Sequence, residues 1–405
     1  MNKKTIFRLS AAFGLVYFFS TNGMASLPGI AVNFLLKETL QMTASQAAYF
    51  GAVTMLGWAI KPLWGVISDA VPIFGYRRKP YLMLTSLVAA GIWFWLGQIE
   101  IYTVSILIAL FTVSSFIYAF NDVVTDGLMV QTGKPYGITD KFQSVQWTAV
   151  YAASIITGLA GGWAAENLKS QTIFSVNAVF PILVVVAIFL LITEEKSQDH
   201  RKQLRESLSA LKETVKNKTI WLIAFFLFFW TFSPSFGMPF FYYSVDVLKF
   251  DKFFLGIASA VGSASSMLGA ILYGKYAGKF KIKKLINFAI LFGVTATLFS
   301  LIYFIPLIAR NLWLANATYI SSNAILGAVG SFVTLAMLNM AAVICPKNSE
   351  GTTFAALTSF WNIGAMSSAA LGGWLFDQIG LQPLIIVSAV FTALTWLIVP
   401  YLKLE

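Results

Sequence analysis

Three ionisable residues, Lys61, Asp122 and Asp126, stand inside stretches that are otherwise apolar. A charge placed in a lipid bilayer is costly unless it is paired or hydrated, so a role in handling ions or solutes is the first reading of each. Asp122 and Asp126 are four apart and share one face of a helix. Lys61 precedes Ser68 by seven residues, roughly 10 Å along a helix. Its helix and that of Asp122, the second and fourth spans, both descend toward the cytoplasm, which places the two residues at a similar depth. Two kinds of chemistry follow. A carboxylate withdrawn from water can couple a proton gradient to movement, and a lysine can face the carboxylate of an anionic solute. The competing reading is a static Lys61–Asp122 ion pair, with Asp126 held in a gate by Arg77 or Arg78.

A second constellation follows Lys61 directly, in KPLWGVISDAVPIFGYRRKPYL over residues 61–82. Gly65 and Asp69 fall on one helix face, and Gly75, Arg77 and Arg78 turn the chain into the next helix. A small residue lets helices approach closely, and an aspartate at a helix end can pair with arginine or cap a neighbouring helix. Contacts of this kind can lock one conformation and break in another. Two helices are also interrupted, at Ser20-Thr21-Asn22-Gly23 with Pro28-Gly29, and at Thr231, Ser233-Pro234-Ser235, Gly237 and Pro239. Proline and glycine loosen the helical ladder, and small polar side chains can satisfy the groups set free. These segments, Asn22 among them, either line a central cavity or are ordinary kinks.

The elements that carry these residues must be membrane helices. Of 405 residues, 58% are hydrophobic and 11% charged, whereas about a quarter of a soluble domain is charged. That excludes disorder, coiled coil, collagen and a disulfide scaffold, and the long unalternating apolar runs argue against a β-barrel. Runs of spanning length occur at 8–34, 46–68, 80–98, 102–128, 141–164, 173–193, 219–246, 253–277, 283–308, 313–341, 351–376 and 381–402. Between the sixth and seventh, the charged stretch 194–218 repeats Leu204, Leu208, Leu211 and Val215 at helical spacing, which predicts an amphipathic surface helix linking residues 1–193 to 219–405. With the N-terminus inside, inner segments carry 22 of the 28 Lys and Arg residues and outer segments 5, so both termini are expected in the cytoplasm. Lys3, Lys4 and Arg8 before an apolar run imitate a signal peptide, but the run continues past Gly23 and is read as the first span.

The net charge of +11 therefore reflects topology, and no nucleic-acid partner is expected. Cys345 and His200 are single, which leaves no disulfide and no cysteine-based metal site. Gly269 to Tyr276 imitates a phosphate loop but has Tyr276 where Ser or Thr is required, inside a membrane helix. A shift of 211 positions places Pro28 on Pro239, Phe18 on Phe229, and Gly161, Gly162, Trp163 and Glu166 on Gly372, Gly373, Trp374 and Asp377. One offset shared by spans 1/7 and 5/11 predicts an all-α membrane protein of twelve transmembrane helices in two six-helix halves, the major facilitator architecture.

The Gly65, Asp69, Gly75, Arg77-Arg78 pattern resembles the helix 2–3 loop motif of the major facilitator superfamily. The fuller string from Lys61-Pro62 to Leu82 resembles the folate–biopterin transporter family, as do Asn121-Asp122-Val123-Val124-Thr125-Asp126-Gly127 and Glu350-Gly351-Thr352-Thr353-Phe354. Melibiose-type carriers have a similar loop and helix 4 acids. The resemblance implies a secondary active transporter of folate or a related pterin that works by alternating access. Its expected partners are that small molecule, a proton or other coupling cation, and the lipid bilayer, with no cofactor and no metal. Lys61, Asp122, Asp126, Asn22 and Asn121 would serve substrate or coupling, Trp230 and Trp361 could stack on a pterin, and Gly65, Asp69, Gly75, Arg77 and Arg78 would gate. The alternative is a cation-coupled carrier of a sugar or nucleoside. A receptor or membrane enzyme finds no nucleophile–base set and no large soluble domain to support it. A monomer in a bacterial cytoplasmic membrane is the expected setting.

Overall fold

The computed structural model describes residues 3–20, 22–194, 196, 205, 208–209, 212, 214–276, 279–345 and 350–402, without the side chains of Asp69, Asp140 and Glu350. The described residues fold into helices, and the extended pairing among them is an isolated bridge between Ile73 and Tyr76. In chain order these are α1 (Lys3–Phe19), α2 (Gly29–Phe34), α3 (Ala44–Thr54), α4 (Leu56–Ala59), α5 (Lys61–Ala70), α6 (Lys79–Gln98), α7 (Val104–Gly133), α8 (Thr139–Asn167), α9 (Ser170–Asn177) and α10 (Val179–Leu191). Then follow α11 (Lys218–Thr231), α12 (Gly237–Asp246), α13 (Lys252–Tyr276), α14 (Ile282–Phe299), α15 (Leu312–Ile344), α16 (Glu350–Ile379) and α17 (Leu381–Leu394). Side chains set several of the starts. Thr43 and Gln46 form a reciprocal capping box before α3, and Thr103 and Asn311 accept from the first turns of α7 and α15.

Nine helical segments among the described residues are long and apolar enough to cross a membrane. Three of the twelve expected spans fall outside that count. The stretch 46–68 is divided at Met55 and Ile60 into α3, α4 and α5, and 219–246 is divided between Thr231 and Gly237 into α11 and α12. The third, 351–376, lies within the continuous helix α16, where Thr352, Thr353, Thr358, Ser359 and Asn362 dilute the apolar residues. Of the predicted linker helix, Leu204 and Leu211 lie outside the described residues, while Leu208 and Val215 are helical and exposed.

Buried side chains gather in separate cores. Phe13, Leu82, Leu128, Phe142 and Ile188 knit α1, α6, α7, α8 and α10 together, and Ile223, Phe226, Ile286, Met337 and Leu357 do the same for α11, α14, α15 and α16. Glycines join the two groups. A Cβ at Gly162 of α8 would lie 2.7 Å from Gly256 Cα of α13, and one at Gly373 of α16 would lie 3.2 Å from Ser45 O of α3. Gly373 and Gly256 stand at the same 211-residue offset from Gly162 and Ser45. The neighbouring pair repeats the relation: a Cβ would lie 2.7 Å from Leu27 O at Gly161 and 1.9 Å from Ser235 O at Gly372, so each glycine backs onto an interrupted helix.

Candidate functional site

The break at Ile60 starts α5 with Lys61-Pro62, and Pro62 in the first turn sacrifices no intrahelical bond. It also delivers Lys61 to α7. Lys61 Nζ lies 2.6 Å from Asp122 Oδ2, with side-chain exposures of 12% and 13%. The ammonium group is also 5.3 Å from the ring centroid of Trp58. One turn along α7, Asp126 accepts a 2.5 Å hydrogen bond from the Tyr17 hydroxyl of α1. Asn121 accepts from Thr85 Oγ1 and donates to Ser86 Oγ at 3.3 Å, which fixes its amide against α6. The three polar residues of the α7 motif thus hold three different helices.

Asn22, Asn121 and Asp122 line one cavity with Tyr17, Ser20 and Tyr118. It offers about 30 Å³ to the centre of a water molecule. That suffices for a water or so and is much too small for a two-ring solute. The space leaves room for a water beside the Asp122 carboxylate. Trp230 and Trp361 stand elsewhere, partly buried against the core of α11, α14 and α15. The Trp361 carbonyl accepts from Thr231, and Asn362 next to it donates to Trp58 O at 3.0 Å, beside Lys61.

At both interrupted helices, polar groups among the described residues are engaged from helices distant in the chain. Near the first, Asn177 Nδ2 donates to Ala25 O at 3.3 Å and Ser26 Oγ lies 3.2 Å from Thr157 Oγ1. Near the second, Ser235 N donates to Ser368 O at 3.0 Å, Ser368 Oγ to Ser233 O, and Ser233 Oγ to Ser388 O at 2.7 Å. Thr21 lies outside the described residues.

In the 71–79 turn, Phe74 and Gly75 have φ of 53° and 85°, and two successive left-handed residues are costly without a glycine. Gly65 is less demanding: a Cβ there would meet Val123 at 3.7 Å, an ordinary contact, so packing alone does not require glycine. Arg78 is buried, donates to Ser68 Oγ at 2.5 Å, and lies across Gly127, where a Cβ would meet its Cζ at 3.0 Å. The Asp69 side chain is outside the described set. The carboxylate found at the start of α6 belongs to Glu194, which accepts from the backbone N–H of Arg77 (3.0 Å), Arg78 (3.0 Å) and Lys79 (2.7 Å). Lys79 returns the favour, donating to Ile192 O at 2.6 Å beyond the end of α10. Sequence reasoning missed Tyr17, Trp58 and Glu194. Tyr17 offered a signal, as a polar tip in an apolar run; Glu194 read only as the first charge of a linker.

The BT1 family model matches residues 22–401. The folate-biopterin transporter of Synechocystis sp. is 31% identical over 378 residues, covering 90% of this chain and 74% of that protein. Probable folate-biopterin transporter 4 of Arabidopsis thaliana is 26% identical, with 93% and 91% covered. Among solved structures, the D-xylose-proton symporter superposes with a TM-score of 0.73 at 12% identity, covering 98% of this chain and 97% of its own. The nucleoside transporter NupG gives 0.69 at 14% identity, with 99% and 98% covered. At these identities the two structures speak for the fold alone.

Proposed function

The chain belongs to the BT1 family and is an integral multi-pass membrane transporter, not an enzyme, and we propose that it carries folate or a related pterin by proton-coupled alternating access. The observation that carries the coupling is the Lys61–Asp122 pair beside a water-sized cavity. A deprotonated Asp122 is stabilised by Lys61. An anionic substrate approaching Lys61 weakens that pairing, so Asp122 accepts a proton more readily. Substrate and proton then favour each other, and the loaded carrier is nearer neutral while it changes face. Asn22 and Asn121 complete the polar lining, Asp126 stands behind it on the Tyr17 hydroxyl, and Trp230 and Trp361 supply aromatic faces in the second half.

The twelve-span, two-half arrangement belongs to the same proposal. Nine long spans, the three interrupted or diluted ones, and the glycine contacts repeated at the 211-residue offset support it. Two cytoplasmic termini and a bacterial cytoplasmic membrane are part of the same proposal, supported by the charge bias and the cyanobacterial relative. Gly65, Asp69, Gly75, Arg77 and Arg78 form the inner gate in this reading, with Glu194 holding their turn to the end of α10.

Uptake into sealed vesicles holding the purified protein tests the substrate. Folate or a simpler pterin should accumulate and be competed by unlabelled pterin. Uptake of a sugar or nucleoside with indifference to pterins would replace this reading by that of another small-solute carrier.

A further inference from the structure

Apart from Asn362 to Trp58 O, the polar contacts among the described residues between the parts before and after the linker gather at one end of the helices. Lys37 Nζ lies 2.6 Å from Asp246 Oδ1, and Lys252 Nζ lies 3.0 Å from Glu38 Oε2. Tyr242 OH donates to Met42 O at 2.7 Å, and Ser45 Oγ donates to Asp377. The two lysines also cover aromatic rings of the opposite part: Lys37 Nζ is 5.3 Å from the Tyr242 centroid and Lys252 Nζ 4.8 Å from that of Phe34. The first span ends here, after α2, in a π-helical turn over Leu35–Thr39. A π-turn is rare and marks functional positions; this one directs the consecutive residues Lys37 and Glu38 to α12 and α13 respectively.

Toward the other end, the same two parts are separated by an apolar cleft of about 320 Å³, with Ile60, Pro62 and Leu63 on one wall and Ile220, Trp221 and Phe360 on the other. The ion pairs therefore hold together the end away from the 71–79 turn. They are crossed, one lysine from each part, so neither part carries the attraction as a simple excess of charge. Their side chains are 15% and 57% exposed in one pair and 26% and 48% in the other. Pairs this wet bias an equilibrium without locking it, which suits a contact that must open in every cycle.

We propose that Lys37–Asp246 and Glu38–Lys252 are an outer latch, which holds the carrier closed on the face away from the cytoplasm and must part before solute enters from that side. The proposal rests on the alternating-access reading above. It assigns a conformational role to four residues that topology alone counts as outer-loop charges.

The test uses the full chain in vesicles, with Cys345→Ser and a reporter cysteine, Ala48→Cys, in the seam beside Gly373. A membrane-impermeant maleimide is added to the outer face without solute. Lys37→Glu should raise the labelling rate about two- to fivefold, the bias that one exposed ion pair supplies, and Lys37→Glu with Asp246→Lys should return it to the starting rate. Equal labelling in all three overturns the latch, even where pterin uptake is demonstrated; a rise reversed by the swap establishes it whatever solute is carried. Lys37→Gln with Lys252→Gln removes both attractions without adding repulsion and guards against misfolding of the reversal. It should raise labelling at least as much, and no rise in a folded double variant also overturns the proposal.

Discussion

Lys61 and Asp122 meet at 2.6 Å across two helices, largely shielded from water. Replacing one partner leaves the other charged in a medium that tolerates it poorly. Lys61→Ala should therefore weaken binding of a carboxylate-bearing pterin more than that of a neutral one, as read by competition for uptake; equal losses would mean that Lys61 supports structure only. Glu194 acts at a distance from that chemistry. It accepts three amides at the start of α6, and loss of a helix cap typically costs about 0.5–2 kcal/mol. Glu194→Ala should lower the thermal midpoint of the purified protein, with Glu194→Gln between it and wild type. An unchanged midpoint in both would show that the cap contributes nothing to stability. The pairing of Lys61 with Asp122 was legible in the sequence as a match of depth in two helices that both descend toward the cytoplasm. The capping was not, because the acceptor comes 115 residues after the amide it binds most closely.

At the level of elements, the apolar runs locate the helices well, because a spanning segment must satisfy its backbone internally and shows this in composition. The interruptions of the first and seventh spans were legible too, from Pro28, Pro234 and Pro239, whereas the division of 46–68 at Met55 and Ile60 was not. What filled the interruptions was not: Ser368, Ser388 and Asn177 lie on helices far along the chain. Gly161, Gly162, Gly372 and Gly373 show how a repeat carries packing information. Gly372 has Ser235 O where a Cβ would stand, at 1.9 Å, so Gly372→Val must push α16 away from the break between α11 and α12. Folded yield after reconstitution should fall sharply for Gly372→Val. By contrast, Gly29→Ala meets no neighbouring atom within 4 Å and should fold normally. Equal yields would contradict the packing described.

Across the whole molecule, the charge bias predicts which loops face which side. Single cysteines introduced in 165–172 should react with an impermeant thiol reagent from outside, and those in 196–216 should not. The reverse pattern would invert the orientation and with it the latch and gate assignments. The path of Lys37 and Glu38 across to Asp246 and Lys252 could not be read in advance, since outer loops look alike as short charged connections until the fold brings their ends together.

The coupling of substrate to proton at Lys61 and Asp122 is most directly tested by pterin accumulation in vesicles under an imposed pH gradient, wild type against Asp122→Asn. The substitution mimics the protonated carboxyl. Wild type should concentrate pterin in response to the gradient, while Asp122→Asn should exchange pterin across the membrane yet concentrate none. If Asp122→Asn still concentrates pterin in response to the gradient, Asp122 is not the coupling acid and its pair with Lys61 is a static one.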